Sequence, residues 1–149
     1  MDFIKEVAEV AKLSTCLRSK CGSIIVKENE IIGKGYNSPP KELESQRKCS
    51  NKKEEYHKKV TDKTCCIHAE QRAILDALRN NPEKIKDSVL YFIRLNENNK
   101  ISHAGNPYCT ICSKLALETG IKHFVLMHKE GLKFYNTEEY NLLSYQYKE

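Results

Sequence analysis

The sequence predicts an α/β protein of three layers, α-β-α, with a mixed central sheet of four to five strands flanked by helices. Three observations lead there. Helical and strand patterns follow one another in the order α-β-β-α-β-α-β-(β)-α, which suits a sheet sandwiched between helices. SVLYFIRL and IKHFVLMH read as buried strands with a helical segment between them, so they should be parallel neighbours joined by a right-handed crossover. At 149 residues the chain has length for one domain, taken as 1–149, with a real core.

Each element has its own signal. Residues 2–13 place Phe3, Ile4, Val7, Val10 and Ala11 at helical spacing. CGSIIVKENEIIGKGYN reads as a hairpin, with Ile24–Val26 as one strand, the turn at Glu28–Glu30 and the return over Ile31–Tyr36. Residues 38–64 contain prolines and many charges without apolar periodicity, which predicts a surface insertion, partly helical around KKEEYHKK. A helix over His68–Arg79 stops before Asn80, Asn81 and Pro82. NENNKISHAGNP reads as a polar loop, YCTICSKLALETG as a helix ending at Gly120, and GLKFY as a short edge strand. TEEYNLLSYQY closes the chain as a helix capped by Thr137 with Glu139 behind it.

Composition narrows the function. No apolar run reaches membrane-spanning length, and MDFIKEVAEVAKL is an amphipathic helix pattern with acidic residues rather than a signal peptide, so a cytoplasmic location and no membrane partner are expected. Seven cysteines, an odd number without a secretory signal, argue against a disulfide framework and towards metal binding or catalysis. A net charge of +5 suits a phosphate-bearing partner but is spread among 20 acidic residues, so it does not favour nucleic acid.

The chemistry is carried by two short motifs. Cys109 and Cys112 in PYCTIC, at the first turn of a helix, can face one metal, and the positive end of the helix dipole favours their thiolates. His68 in TCCIHAEQRAIL supplies a third ligand. Three protein ligands leave the fourth tetrahedral position of a zinc ion open for water, which is the catalytic pattern, whereas structural sites close with four. Glu70, two residues after His68, can sit beside that water and move its proton. His-x-Glu followed by a proline-associated C-x-x-C is the signature of zinc deaminases. Taken alone, HAE fits a helix cap and CTIC fits a redox pair; together in this element order they point to a deaminase site.

The same stretches resemble the cytidine and deoxycytidylate deaminase superfamily, most of all its deoxycytidylate (dCMP) branch. The resemblance runs through FIKEVAEVAKLSTCLRSKCGSIIV, IIGKGYNSPP, HAEQRAILDAL and PYCTICSKLALETGIKHFVL. It implies a cytidine-deaminase-like fold and hydrolytic deamination of a cytosine nucleotide, dCMP to dUMP, by zinc-activated water with a glutamate proton shuttle. It assigns His68, Cys109 and Cys112 to zinc, Glu70 to the proton, Asn37 to the substrate sugar, and Ser14 and Arg18 to the neighbourhood of the phosphate. It also implies a homo-oligomer. Against the family pattern, Tyr108 separates the proline from the first zinc cysteine, and Arg94 stands where a threonine is common. About ten extra residues, NENNKISHAG, then follow and should border the pocket. Gln71 and Arg72 replace a usual asparagine, and Ser38 a glycine.

Some relatives hold a second, structural zinc in an inserted segment, and Cys49, His57, Cys65 and Cys66 are the residues here that resemble such a site; the alternative is buried small residues and a solvated charged face. Cys16 and Cys21 read as packed thiols. Two other functions fit the motifs: deamination of cytosine or adenine in single-stranded nucleic acid, or of a free base, and a non-catalytic zinc-stabilised interaction module. The absence of a basic stripe interleaved with aromatics disfavours the first, and Glu70 with an open ligand position disfavours the second.

Overall fold

A computed structural model describes residues 1–148. Helix α1 (Phe3–Ala11) starts where the Asp2 carboxylate accepts the Lys5 N–H at 3.1 Å. Strands β1 (Lys20–Lys27) and β2 (Glu30–Tyr36) form the expected hairpin, with Glu28 and Asn29 at its tip in the left-handed region. There follow α2 (Ala69–Asn80), β3 (Val89–Leu95), β4 (Ile101–Ser102), α3 (Thr110–Glu118), β5 (His123–His128), β6 (Gly131–Asn136) and α4 (Thr137–Tyr145).

The sheet order is β2-β1-β3-β5-β6. One edge of β3 pairs antiparallel with β1. On the other edge Val89–Phe92 runs parallel to β5, as a crossover through α3 requires, and Arg94–Leu95 pairs antiparallel with β4. The six strands exceed the expected four to five by β4, a two-residue pairing inside NENNKISHAGNP, too short and polar to leave a period-two pattern.

Strand alternation sorts the core into two layers. Val7, Val10 and Ala11 of α1 pack on Ile24, Val26, Tyr91 and Ile93. On the other face Ala73, Ile74 and Ala77 of α2, Ala116 of α3 and Tyr140 of α4 pack with Ile25, Leu90, Phe124 and Leu126. Helix α2 lies very close to β2. A Cβ at Gly33 would stand 2.5 Å from the Ala73 carbonyl oxygen, and one at Gly35 would overlap Ala69 O and Ala73 N. Glycine on the strand and alanine on the helix are therefore required together.

Two expectations need correction. The N-cap of α4 is Asn136, whose Oδ1 accepts the Glu138 N–H at 3.0 Å, and Thr137 is buried one position inside. The charged segment before α2 contains no regular helix at KKEEYHKK, only isolated 3₁₀ turns at Pro40–Glu42, Glu44–Gln46 and Lys53–Glu55. Between residues 40 and 65 the one buried side chain is Cys49.

Candidate metal centre and its cavity

Helices α2 and α3 bring their N-termini to one spot above the sheet. His68 is the N-cap of α2 in extended conformation, and its N–H donates to Gln71 Oε1 at 3.0 Å. The glutamine at the third helical position serves the cap, and Glu70 at the second is free of that duty. Cys109 is the N-cap of α3, its Sγ accepting the Cys112 N–H at 3.3 Å. His68 Nδ1 lies 3.3 Å from Cys112 Sγ and 3.4 Å from Cys109 Sγ. All three ligand atoms fall within 4.8 Å of one another. A zinc ion at ~2.3 Å from sulfur and ~2.0 Å from nitrogen, with tetrahedral angles, sets N···S separations of about 3.6 Å. The donor set and its spacing therefore fit zinc, with one direction left without a protein ligand.

Electrostatics of the metal-free centre favour that ion. The Cys112 thiol, hydrogen-bonding to Cys109, lowers the Cys109 pKa to about 5 against the opposing effect of burial, with His68 and the Cys112 N–H adding to it. Cys112 itself is held well above its usual range by Cys109 and burial. The Cys109 thiolate raises His68 to about 9. Imidazolium and thiolate thus neutralise each other, and a metal ion would take the place of the protons on His68 and Cys112. Glu70 is 5% exposed; burial and then Cys109 push its carboxyl up to about 7, and a side-chain hydrogen bond links it to Cys112.

The second nitrogen of His68 points into the insertion. Nε2 lies 3.3 Å from Thr64 Oγ1 and 3.7 Å from Asp62 Oδ2, while Asp62 Oδ1 accepts the Thr64 hydroxyl at 2.6 Å. A ligand histidine whose far nitrogen meets a hydroxyl and a carboxylate is fixed in tautomer and orientation. Sequence reading missed both residues, since neither motif nor periodicity marks them.

The centre opens into a cavity of about 490 Å³ whose lining includes Asn37, Glu70, Phe92 and Arg94. The segment after β4 adds His103, Ala104, Gly105 and Asn106, so the ten extra residues do border the pocket. Asn37 is buried, with Oδ1 accepting the Cys21 N–H at 2.8 Å and Nδ2 donating to Ser19 O at 2.9 Å. Ser14 lies behind it, Oγ 2.6 Å from Asn37 Oδ1. Arg18 lines the cavity, but its guanidinium donates to Cys49 O at 2.9 Å and to Asn51 O.

A second thiol cluster stands nearby. Cys49 Sγ lies 3.3 Å from Cys65 Sγ and 3.7 Å from Cys66 Sγ, and Cys16, Cys49 and Cys66 sit within 4.8 Å of one another. His57 is not brought to it: it is exposed, and its Nδ1 accepts the Lys59 N–H at 3.1 Å. Cys16, read from sequence as a packed thiol, takes part instead. Burial opposes ionisation of Cys49, yet the Leu17 N–H, the two neighbouring thiols and Arg47 bring it down to about 7.

Fold and site together define a zinc-dependent deaminase-type domain. The chain belongs to the family described as the cytidine and deoxycytidylate deaminase zinc-binding region, whose family model matches residues 1–128. Among relatives, the deoxycytidylate deaminase of Schizosaccharomyces pombe is 27% identical over 134 residues, covering 83% of this chain and 35% of that protein. The chain thus spans about a third of the length of the yeast relatives it matches. The deoxycytidylate deaminase of Mycobacterium phage D29 is 28% identical over 129 residues, covering 83% of this chain and 89% of its own. The crystal structure of dCMP deaminase from the cyanophage S-TIM5 superposes with a TM-score of 0.54 at 26% identity, covering 83% of this chain and 82% of that one.

Two outcomes follow from the centre's geometry. Asp62→Asn is expected to weaken zinc binding about 10–100-fold, read by competition with a chromophoric chelator, because the amide cannot match the carboxylate facing His68. In zinc-free protein, Glu70→Gln is expected to stabilise the fold at pH 8 and much less at pH 5. The raised folded-state pKa makes ionisation of Glu70 costly as pH climbs from about 4.5 towards about 7, by roughly 3 kcal/mol in full. Thermal melts of both proteins at the two pH values check this.

Proposed function

We propose that this chain hydrolytically deaminates a cytosine nucleotide, dCMP to dUMP, with His68, Cys109 and Cys112 holding the catalytic zinc. The observation that carries the reading is Glu70, a buried carboxyl released from capping duty and set beside a three-ligand centre at a cavity wall. The deoxycytidylate deaminases among the relatives support the substrate. A zinc ion held by His68, Cys109 and Cys112 would supply Lewis-acid activation of a water. Glu70 takes a proton from that water and delivers it to N3 of the base as oxygen adds at C4. Glu70 then takes the remaining proton from the hydroxyl now on C4 and passes it to the exocyclic nitrogen, so that the C4=O bond forms as the C4–N bond breaks with its electron pair leaving on ammonia. Water and dCMP thus balance dUMP and ammonia. Asn37 has one amide hydrogen beyond its bond to Ser19 O, and in this reading it serves a sugar hydroxyl. Ser14 acts through Asn37 rather than on substrate.

A second, structural zinc at Cys16, Cys49, Cys65 and Cys66 belongs to the same reading. Sulfurs around one tetrahedral zinc stand about 3.8 Å apart, close to the 3.3 to 3.9 Å among Cys49, Cys65 and Cys66. Seven free thiols are consistent with a reducing cytoplasm, and no helix among the described residues is long and apolar enough to cross a membrane. Residues 1–149 are taken as one domain. Leu75 and Leu78 of α2, Leu117 of α3 and Leu142 of α4 are exposed, the kind of surface a homo-oligomer covers.

Zinc-loaded protein is expected to release ammonia from dCMP, and Glu70→Gln to lose at least about 10²-fold in kcat while keeping its zinc. Ammonia release by an unchanged Glu70→Gln protein, or none from the parent chain, would refute the reading. Elemental analysis should find two zinc ions per chain, falling to one in Cys49→Ser; one in both would remove the second site.

A further inference from the structure

Arg94 is out of character with its strand. Leu90 and Phe92 precede it on the same face of β3, whose other residues are all apolar, and it sits across from Cys21 of β1 and Ser102 of β4. The side chain is exposed to the cavity rather than folded into the core. A second hollow of about 450 Å³, built around the turn between β3 and β4, adjoins the first. Strand β3 runs from one to the other. Phe92 lines the first hollow alone, Leu95 the second alone, and Arg94 lines both, together with Arg18, Ser19 and Ser102.

The other arginines near the cavity are spoken for. Arg18 donates to two backbone carbonyls, Arg47 pairs with Glu44, and Arg72 donates to Tyr36 O and Ser38 Oγ. Arg94 has no carboxylate or carbonyl partner among the described residues, and its near neighbour is the Cys21 thiol. Glu70 is the single acidic residue lining the first hollow, and Lys53 adds a further positive charge there. The second hollow also carries Glu97. A planar guanidinium with no carboxylate partner, lining both hollows, matches a doubly charged tetrahedral anion. Glu70, Asn37 and Arg94 line one hollow, which offers a group each to the base, sugar and phosphate of one nucleotide.

We propose that Arg94 is a specificity-determining residue that holds the 5′-phosphate of the substrate, so that the chain selects a nucleoside monophosphate over the nucleoside. The assignment rests on the cytosine-nucleotide reading above. It makes the departure at this strand position functional: the residue reads the phosphate while the metal centre performs the chemistry.

The test compares Arg94→Gln and Arg94→Lys with the parent chain, each zinc-loaded and checked for folding by circular dichroism. In Arg94→Gln the ratio of kcat/KM for dCMP to that for deoxycytidine is expected to fall about 100-fold, mostly through KM, as loss of a charge-assisted contact implies. Arg94→Lys should recover part of it, since a point charge replaces the fork. Equal losses on both substrates would mark a structural role and overturn the assignment. Calorimetric titration with dUMP and deoxyuridine reads the same contact without turnover. If the parent chain binds dUMP no tighter than deoxyuridine, or Arg94→Gln keeps the preference, the assignment fails whatever reaction is catalysed. If the parent deaminates neither cytosine compound yet binds dUMP in preference, and loses that preference with Arg94, the deamination reading fails and the phosphate contact stands.

Discussion

The contact between β2 and α2 fixes everything that happens at the metal centre. Gly33 and Gly35 give up their side chains so that Ala69, Ala73 and Ala77, one helical turn apart, can lie on the strand backbone. Overpacking such a contact by even one methyl group costs on the order of 1–3 kcal/mol. The contact is reinforced at the end nearest His68, where Arg72 donates to Tyr36 O at 2.8 Å and to Ser38 Oγ at 2.6 Å and covers the Tyr36 ring. With the helix axis held this tightly, the positions of His68 and Glu70 follow from helical geometry alone. Helix α3 has only to bring Cys109 and Cys112 to the same end of the sheet, which the parallel β3–β5 crossover does.

Within the first turn of α2, two demands that usually compete are divided between adjacent residues. An acidic residue near a helix N-terminus ordinarily stabilises the helix by capping and by its charge. Here Gln71 does the capping, a neutral side chain that needs no counter-charge. Glu70 is left buried and easily protonated, an arrangement unfavourable for stability and useful for proton transfer. The glutamine after the histidine and glutamate of the sequence motif thus leaves both free of capping by side chain, as the proposed reaction requires.

The parts of this molecule that were legible in the sequence are those with a repeating or local signal. Apolar spacing revealed α1, α2 and the buried strands, and two short motifs revealed His68, Glu70, Cys109 and Cys112 as neighbours although 41 residues separate His68 from Cys109. The illegible parts share a different property. Cys16 meets Cys49 and Cys66 across loops that have no periodicity, so nothing local distinguishes it from a packed thiol. Asp62 and Thr64 face His68 from an insertion whose path is set by turns and side-chain contacts, not by an apolar face. Arg94 was visible as an odd residue, but its relation to two hollows depends on β4, a pairing too short to read.

The insertion raises a question of rigidity. It supplies the groups that face His68, yet between residues 40 and 65 it buries only Cys49. A charged segment without a core does not hold side chains in place by hydrophobic packing. Its anchors lie at the thiol cluster and at Arg18, whose guanidinium binds the carbonyls of Cys49 and Asn51. Cys65 and Cys66 immediately follow Thr64 and lie three and two positions before His68, so whatever fixes those thiols also fixes the chain on which Asp62, Thr64 and His68 are carried. Four thiols held only by their own weak hydrogen bonds would fix it loosely. The proposed structural metal bonds them strongly, and through that short stretch of backbone the cluster becomes the support on which the orientation of His68 depends.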